Sequence, residues 1–161
     1  MKLLVISDTH GETNYVMQVL LPKYAGKIDM LVHLGDYVED AELIRRAHPA
    51  IPIAFVAGAY EHFGKTRQVL TIGKTARRVL IMHGHDIGVK QGLSRISHFA
   101  QQQGVHACFF GHTHQPIVFS QGGVFFINPG SVTDPRGLPR CSYGLVTILP
   151  CGTFEGEIVY I

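Results

Sequence analysis

Charge is scarce in this chain. Of 161 residues, 14 are lysine or arginine and 12 are aspartate or glutamate, which is 16% charged and a formal net charge of +2. The densest basic stretches, "TARR" at 75–78 and "PRGLPR" at 135–140, are short, so the electrostatic footprint of a nucleic-acid-binding surface is missing. Cysteine is equally sparse. Cys108, Cys141 and Cys151 are odd in number and form no C-x-x-C pair, which argues against a disulfide framework and a thiolate zinc site and suits a reducing compartment. No apolar run approaches the ~18 residues of a membrane span, and the stretch between Lys2 and Ser7 is too short for the apolar core of a secretion signal. A soluble, cytoplasmic protein with no membrane partner is expected. Internal repeats, low-complexity tracts and linkers are also absent, so residues 1–161 read as a single domain.

What the chain does have is core-forming material. Hydrophobic residues make up 46% of it, and a chain of this length buries about 70% of its unfolded surface without staples. "KLLVIS" is a continuous apolar run of the kind buried on both faces of a sheet, and a helical segment around Asn14 to Tyr24 follows it. "DMLVHLGD", "DAELIRRAH" and "IPIAFVAG" repeat the order strand, helix, strand, which implies parallel pairing. The pattern then changes. "RQVLTIGKTARRVLIM" reads as a hairpin turning at Gly73 and Lys74. Leu93, Ile96, Phe99 and Ala100 mark an amphipathic helix between Gly92 and Gly104, and "PIVFSQGGVFFIN" is a second hairpin closed by Gly122 and Gly123. "CSYGLVTILP" and "GEIVYI" add antiparallel strands. Two packed sheets with helices outside are the economical arrangement.

The polar residues that follow the predicted strands are the informative ones. Asp8 and His10 follow the first strand, Asp36 the second and "GAYEH" the third. His83 and His85 follow "VLIM", and His112 and His114 follow "CFF". The carboxyl ends of parallel strands share one sheet edge, the usual ligand crevice, and five strand ends deliver imidazole or carboxylate there. Gly35, Gly84 and Gly111 beside them let the backbone turn sharply. Crowding so many ionisable groups at one edge is costly, and a divalent cation neutralises them. Oxygen and imidazole donors without thiolate suit manganese, iron, zinc or nickel. The other histidines and acids have plainer readings. His48 and His98 lie on helices, His106 starts a strand, His33 is a hydrogen-bonded core or supporting imidazole, and Asp29, Asp40 and Asp86 are turn or N-cap residues.

Asp8-Thr9-His10, Gly35-Asp36, Gly58-Ala59, His83-Gly84-His85 and Gly111-His112-Thr113-His114, in this order, resemble the calcineurin-like metallophosphoesterases. The small size and Asn128-Pro129-Gly130-Ser131 resemble their short bacterial and archaeal phosphodiesterase branch, and the retromer small subunit is similar to the same fold. The resemblance covers almost the whole chain. It implies an α/β fold, an αββα sandwich of two mixed β-sheets flanked by helices, with two divalent transition-metal ions, manganese first among the four. By position, Asp8, His10 and His114 would hold one metal and His83 and His112 the other, with Asp36 bridging.

The implied reaction is hydrolysis of a small phosphodiester by a metal-bridging hydroxide. Asp36 and His85 would be the catalytic residues, His85 through contact with the phosphoryl group. Asn128 to Ser131 read as a turn near the site. The chain departs from the family at "VAGAYEH": Ala59 stands where an asparagine usually supplies an amide oxygen to the second metal, and Tyr60 where many relatives have histidine. Glu61 and His62 follow, and either can reach toward a metal. Retention of all six ligands favours the enzyme. Ala59 favours the alternative, a non-catalytic metal-binding scaffold or protein-interaction subunit of the same fold. A homo-oligomer is compatible with either.

Overall fold

A computed structural model of the chain describes residues 1–61 and 63–161. The central apolar runs become strands because they have somewhere to bury both faces. In β1 (Lys2–Ile6), Leu3 and Val5 face the space between two sheets, while Leu4 and Ile6 face the helices outside. β2 (Met30–His33) and β3 (Ile53–Phe55) lie parallel to β1 in the order β1-β2-β3. β9 (Ser142–Ile148) and β10 (Phe154–Tyr160) return from the chain's end to extend this sheet antiparallel on its other side.

The second sheet has the order β4-β5-β6-β8-β7. Its centre, β5 (Arg77–Met82), β6 (Ala107–Phe110) and β8 (Val124–Asn128), is parallel. Two antiparallel hairpins close its edges. β4 (Arg67–Ile72) turns into β5 through Gly73 and Lys74, and β7 (Ile117–Gln121) turns into β8 through Gly122 and Gly123, as the turn residues predict.

Leu3, Val5, Val32, Leu34, Val79, Ile81, Phe109 and Ile127 interdigitate between the sheets. A buried aliphatic or aromatic side chain contributes about 1.5–3 kcal/mol, so this layer is the main stabilising contact. On the outer face of the first sheet, a π-helical turn, Val16–Leu20, runs into α1 (Leu21–Tyr24), and with α2 (Val38–Ala47) it covers Leu4, Ile6 and Leu31. α3 (Leu93–Gln102) lays Ile96 and Ala100 against Leu80, Cys108, Phe110 and Phe126 on the outer face of the second. The result is the expected αββα sandwich. The parallel strands of both sheets end on the same side, which brings together the loops after β1, β2, β3, β5 and β6.

Candidate metal centre

Those loops are held in conformations that side chains other than glycine rarely adopt. Asp8 (φ 54°), His10 (φ 48°), Tyr37 (φ 66°), His112 (φ 68°) and His114 (φ 58°) all have positive φ, five of the seven such non-glycine residues among those described. Each costs of order 1–3 kcal/mol and persists only where its surroundings enforce it. Here the surroundings do. Ser131 Oγ donates to the Asp8 carbonyl at 2.7 Å and Thr133 Oγ1 to the same oxygen at 3.1 Å. Asn128 Nδ2 donates to the Gly111 carbonyl at 3.1 Å and to Thr113 Oγ1 at 2.9 Å. Asn128, the last residue of β8, and Ser131 thus clamp two of the loops, where a simple turn near the site was expected.

The glycines supply room. A Cβ on Gly111 would overlap Ser7 Oγ, and one on Gly58 would overlap Asp36 Oδ1. Gly35, at φ 85°, would bring its Cβ to 2.9 Å from both Gly58 Cα and His83 Nδ1. Gly58 carries no special φ, so its steric role was invisible in the sequence.

Six side chains converge between these loops. His10 Nε2 lies 3.3 Å from His114 Nε2, and His114 Nε2 lies 3.2 Å from Asp8 Oδ1. On the other side, His83 Nε2 lies 3.3 Å from Asp36 Oδ1 and 3.1 Å from His112 Nδ1. Asp36 stands between, its Oδ2 3.8 Å from His10 Nε2. Two triads have ligand atoms all within 4.8 Å of one another, Asp8 with His10 and His114, and Asp8 with Asp36 and His83. His112 joins neither triad and approaches through His83.

The tautomers are set by hydrogen bonds to carbonyl oxygens, which only accept. His83 Nδ1 donates to the Leu34 carbonyl at 2.8 Å and His114 Nδ1 to the Asp134 carbonyl at 2.5 Å. In the neutral ring, each Nε2 then turns a lone pair into the centre. Asp8 Oδ1 is buried with no hydrogen-bond partner, while its Oδ2 accepts from Ser7 Oγ and the His112 amide. An orphaned carboxylate oxygen facing imidazole lone pairs fits a cation, and the donor set fits the metals expected of it.

Titration follows the same crowding. Burial pushes the Asp8 carboxyl up, but its close pairing with His114 and the charge of His83 outweigh it, so its pKa falls below the usual carboxylate value. Burial, then the charges of His83 and Lys90, hold His112 down to about 4. His114 moves the other way: its partner Asp8 overcomes the cost of burial. His85 sits with its ring centroid 5.3 Å from that of His83 and 6.0 Å from that of His112. Its Nδ1 is buried without a partner, and burial and the His83 charge lower its pKa.

Behind these residues lies a network only partly anticipated. His33 is fully buried, accepts from the Gly35 amide at Nδ1 (3.2 Å) and meets Thr9 Oγ1 through Nε2 at 3.0 Å. Thr9 Oγ1 donates to Asp40 Oδ2 at 2.5 Å, which also accepts the Gly11 amide at 2.8 Å. His33 is therefore the supporting imidazole expected. Asp40 is neither turn nor cap of its own helix. It lies within α2, buried, because the loop carrying Asp8 and His10 needs an acceptor there. Asp29 and Asp86 are likewise neither turn acceptors nor N-caps: they tether distant segments, accepting from the Lys2 amide and Thr66 Oγ1.

In the departing segment, Glu61 does not face the centre. Its Oε1 accepts from the Val38 amide at 2.5 Å and its Oε2 from the Gly58 amide, so one oxygen fastens the loop to the start of α2 and the other closes the loop on itself. His62 lies outside the described residues. Tyr60 is 63% exposed and stacks on Tyr37 with ring centroids 6.2 Å apart.

The model of the calcineurin-like phosphoesterase superfamily domain matches residues 1–149. The chain belongs to this superfamily. The calcineurin-like chain is 34% identical over 149 residues to the probable metallophosphoesterase YsnB of Bacillus subtilis, covering 92% of this chain and 85% of that protein. It is 29% identical over 167 aligned residues to the phosphodiesterase YfcE of Escherichia coli K12, covering 91% and 87%. Among solved structures, a Streptococcus pneumoniae protein described as a predicted phosphoesterase superposes with a TM-score of 0.79 at 26% identity, over 99% of this chain and 88% of that one. Vps29 of Entamoeba histolytica, solved with Zn2+, superposes at 0.75 and 26% identity over 99% of each chain. Calcineurin-like phosphoesterases are metal-dependent, and this member brings together groups able to hold a cation.

Proposed function

We propose that the chain is a metal-dependent phosphodiesterase acting on small diesters, with residues 1–161 working as one unit. The observation that carries this reading is the orphaned Asp8 Oδ1 facing His10 and His114 on one side and the Asp36–His83 pair on the other. Asp8, His10 and His114 would hold one cation and His83 and His112 a second, with Asp36 reaching toward both through its two oxygens. Cations bound there supply Lewis-acid polarisation of a phosphoryl oxygen and a more acidic water.

The remaining work belongs to the chain. The Leu34 and Asp134 carbonyls keep the protons of His83 and His114 on Nδ1, so neither ring has to reorganise to ligate. His85, its ring centroid 5.3 Å from that of His83, would contact a phosphoryl oxygen of the bound diester. Tyr60 in place of histidine leaves no imidazole there to protonate a leaving oxygen, so diesters with good leaving groups are the favoured substrates.

The test is elemental analysis after reconstitution with manganese, alongside hydrolysis of bis(4-nitrophenyl) phosphate by the native chain and Asp36→Ala. At least one metal per chain and a hundredfold or greater loss in Asp36→Ala are expected, on the order of a lost electrostatic contact in the transition state. Stoichiometric metal without turnover of any phosphodiester would leave the second reading, a metal-holding protein-interaction subunit. Ala59 and the likeness to Vps29 favour that reading.

A further inference from the structure

Beside the metal centre the surface sinks into a cavity of about 440 Å3. Leu93, Phe110 and Ile117 give it an apolar floor, and Lys90 and Arg136 stand among its lining residues without any aspartate or glutamate. Part of its wall is Thr113, the residue between His112 and His114, so the cavity opens on the ligand loop itself.

Both cations lie within electrostatic reach of the centre. The Lys90 charge contributes to the lowered pKa of His112, and the Arg136 charge opposes the rise at His114. Lys90 is exposed and has no ion pair among the described residues. Arg136 meets Asp134 Oδ2 only through Nε, at 3.4 Å and with both side chains partly exposed, and its two terminal amino groups carry no hydrogen bond among the described residues. The lining thus carries two cations and no acid, and the Arg136 guanidinium keeps the donors that suit a carboxylate or phosphate.

We propose that this cavity binds the non-reacting arm of the substrate diester, and that this arm carries a second negative charge on an apolar stem. The inference rests on the phosphodiesterase reading of the neighbouring centre and names its substrate class. The apolar floor takes the stem, Lys90 and Arg136 take the charge, and the phosphorus is left at the mouth, next to His112.

Two matched probes test it, 4-nitrophenyl phenyl phosphate and 4-nitrophenyl 4-carboxyphenyl phosphate, compared in manganese-loaded protein. The ratio of kcat/KM, carboxylated over neutral, is expected to exceed one in the native chain. It should drop about threefold to fivefold in Lys90→Gln and again in Arg136→Gln, the scale of one partly exposed charge contact, and invert in Lys90→Glu. Lys74→Gln, in the turn at the opposite end of β5, should leave the ratio alone. A native ratio at or below one, or equal losses in Lys74→Gln, overturns the proposal. If neither probe is hydrolysed, the phosphodiesterase reading fails, and calorimetric binding of the same two probes decides the cavity. A preference for the carboxylated probe that Lys90→Glu abolishes would keep the cavity as a site for an anion on an apolar stem while ending its role in a substrate diester, and equal affinities overturn both.

Discussion

The backbone amide of Ala59 donates to Asp36 Oδ1 at 2.9 Å, while the Ala59 side chain offers nothing to a cation. The loop after β3 thus steadies Asp36, a member of the triad with Asp8 and His83, through its backbone. With Glu61 fastened to backbone amides, no side-chain donor of this loop turns toward His83 among the described residues.

Ala59→Asn is therefore expected to raise metal affinity on that side. Rate on an activated diester, measured against manganese concentration, should show a half-saturating concentration at least severalfold lower, with little change at saturation. An unchanged midpoint would mean that another group or water already fills the position.

Gly111→Ala should damage both fold and site, because its Cβ would meet Ser7 Oγ, the donor that holds Asp8 Oδ2. Overpacking of this kind costs about 1–3 kcal/mol. A lowered Tm in chelator together with reduced bound metal is the expected pair. Normal metal content at native Tm would show that the loop can yield.

Asn128→Ala removes the donor to Gly111 and Thr113 and the acceptor of the Gly130 amide, the first and last of these bonds buried. Leaving such groups without partners costs about 1–3 kcal/mol each. Urea denaturation should show the loss even without metal, and metal affinity should fall because His112 and His114 lose their anchored loop. Asn128→Asp, which keeps the acceptor alone, should be intermediate or worse.

Acid should destabilise the metal-free protein before its carboxylates titrate. Burial lowers His33 from the ordinary 6.5 to about 4, because a second proton would remove the acceptor of the Gly35 amide and bury a charge. Between those values the unfolded chain binds a proton that the folded one does not, so stability is full above 6.5 and is lost as pH falls toward 4, by about 3 kcal/mol. His112, also held to about 4, acts in the same direction but is more exposed and counts for less. Asp8, with a lowered pKa, loses its contribution only below the usual carboxylate range, and His114, with a raised one, loses its contribution as pH rises above 6.5. Denaturation in chelator at pH 7 and 5 should show the drop, and His33→Gln, which donates and accepts without titrating, should flatten it. An equal slope in that variant would refute the assignment.

Much of this protein was legible one residue at a time. Apolar runs such as Leu3 to Ile6 and Cys108 to Phe110 mark strands because a sheet buried on both faces leaves no polar alternation, and Gly73, Gly122 and Gly123 mark turns by the φ they permit. The candidate ligands could be read because they follow strand ends closely, Asp8 and His10 after β1, Asp36 after β2, His83 after β5, and His112 and His114 after β6, so parallel strands bring residues as distant as Asp8 and His114 to one edge. Other features depended on where separate loops pass one another. Only packing revealed that Asp40 on α2 supports Thr9, that the Asp134 carbonyl sets the tautomer of His114, that Gly58 makes room for Asp36, and that Lys90 and Arg136 flank one cavity. These contacts join segments with no common period or motif. A local pattern can encode which residues begin and end a strand, but the distance between two loops exists only once both sheets have packed.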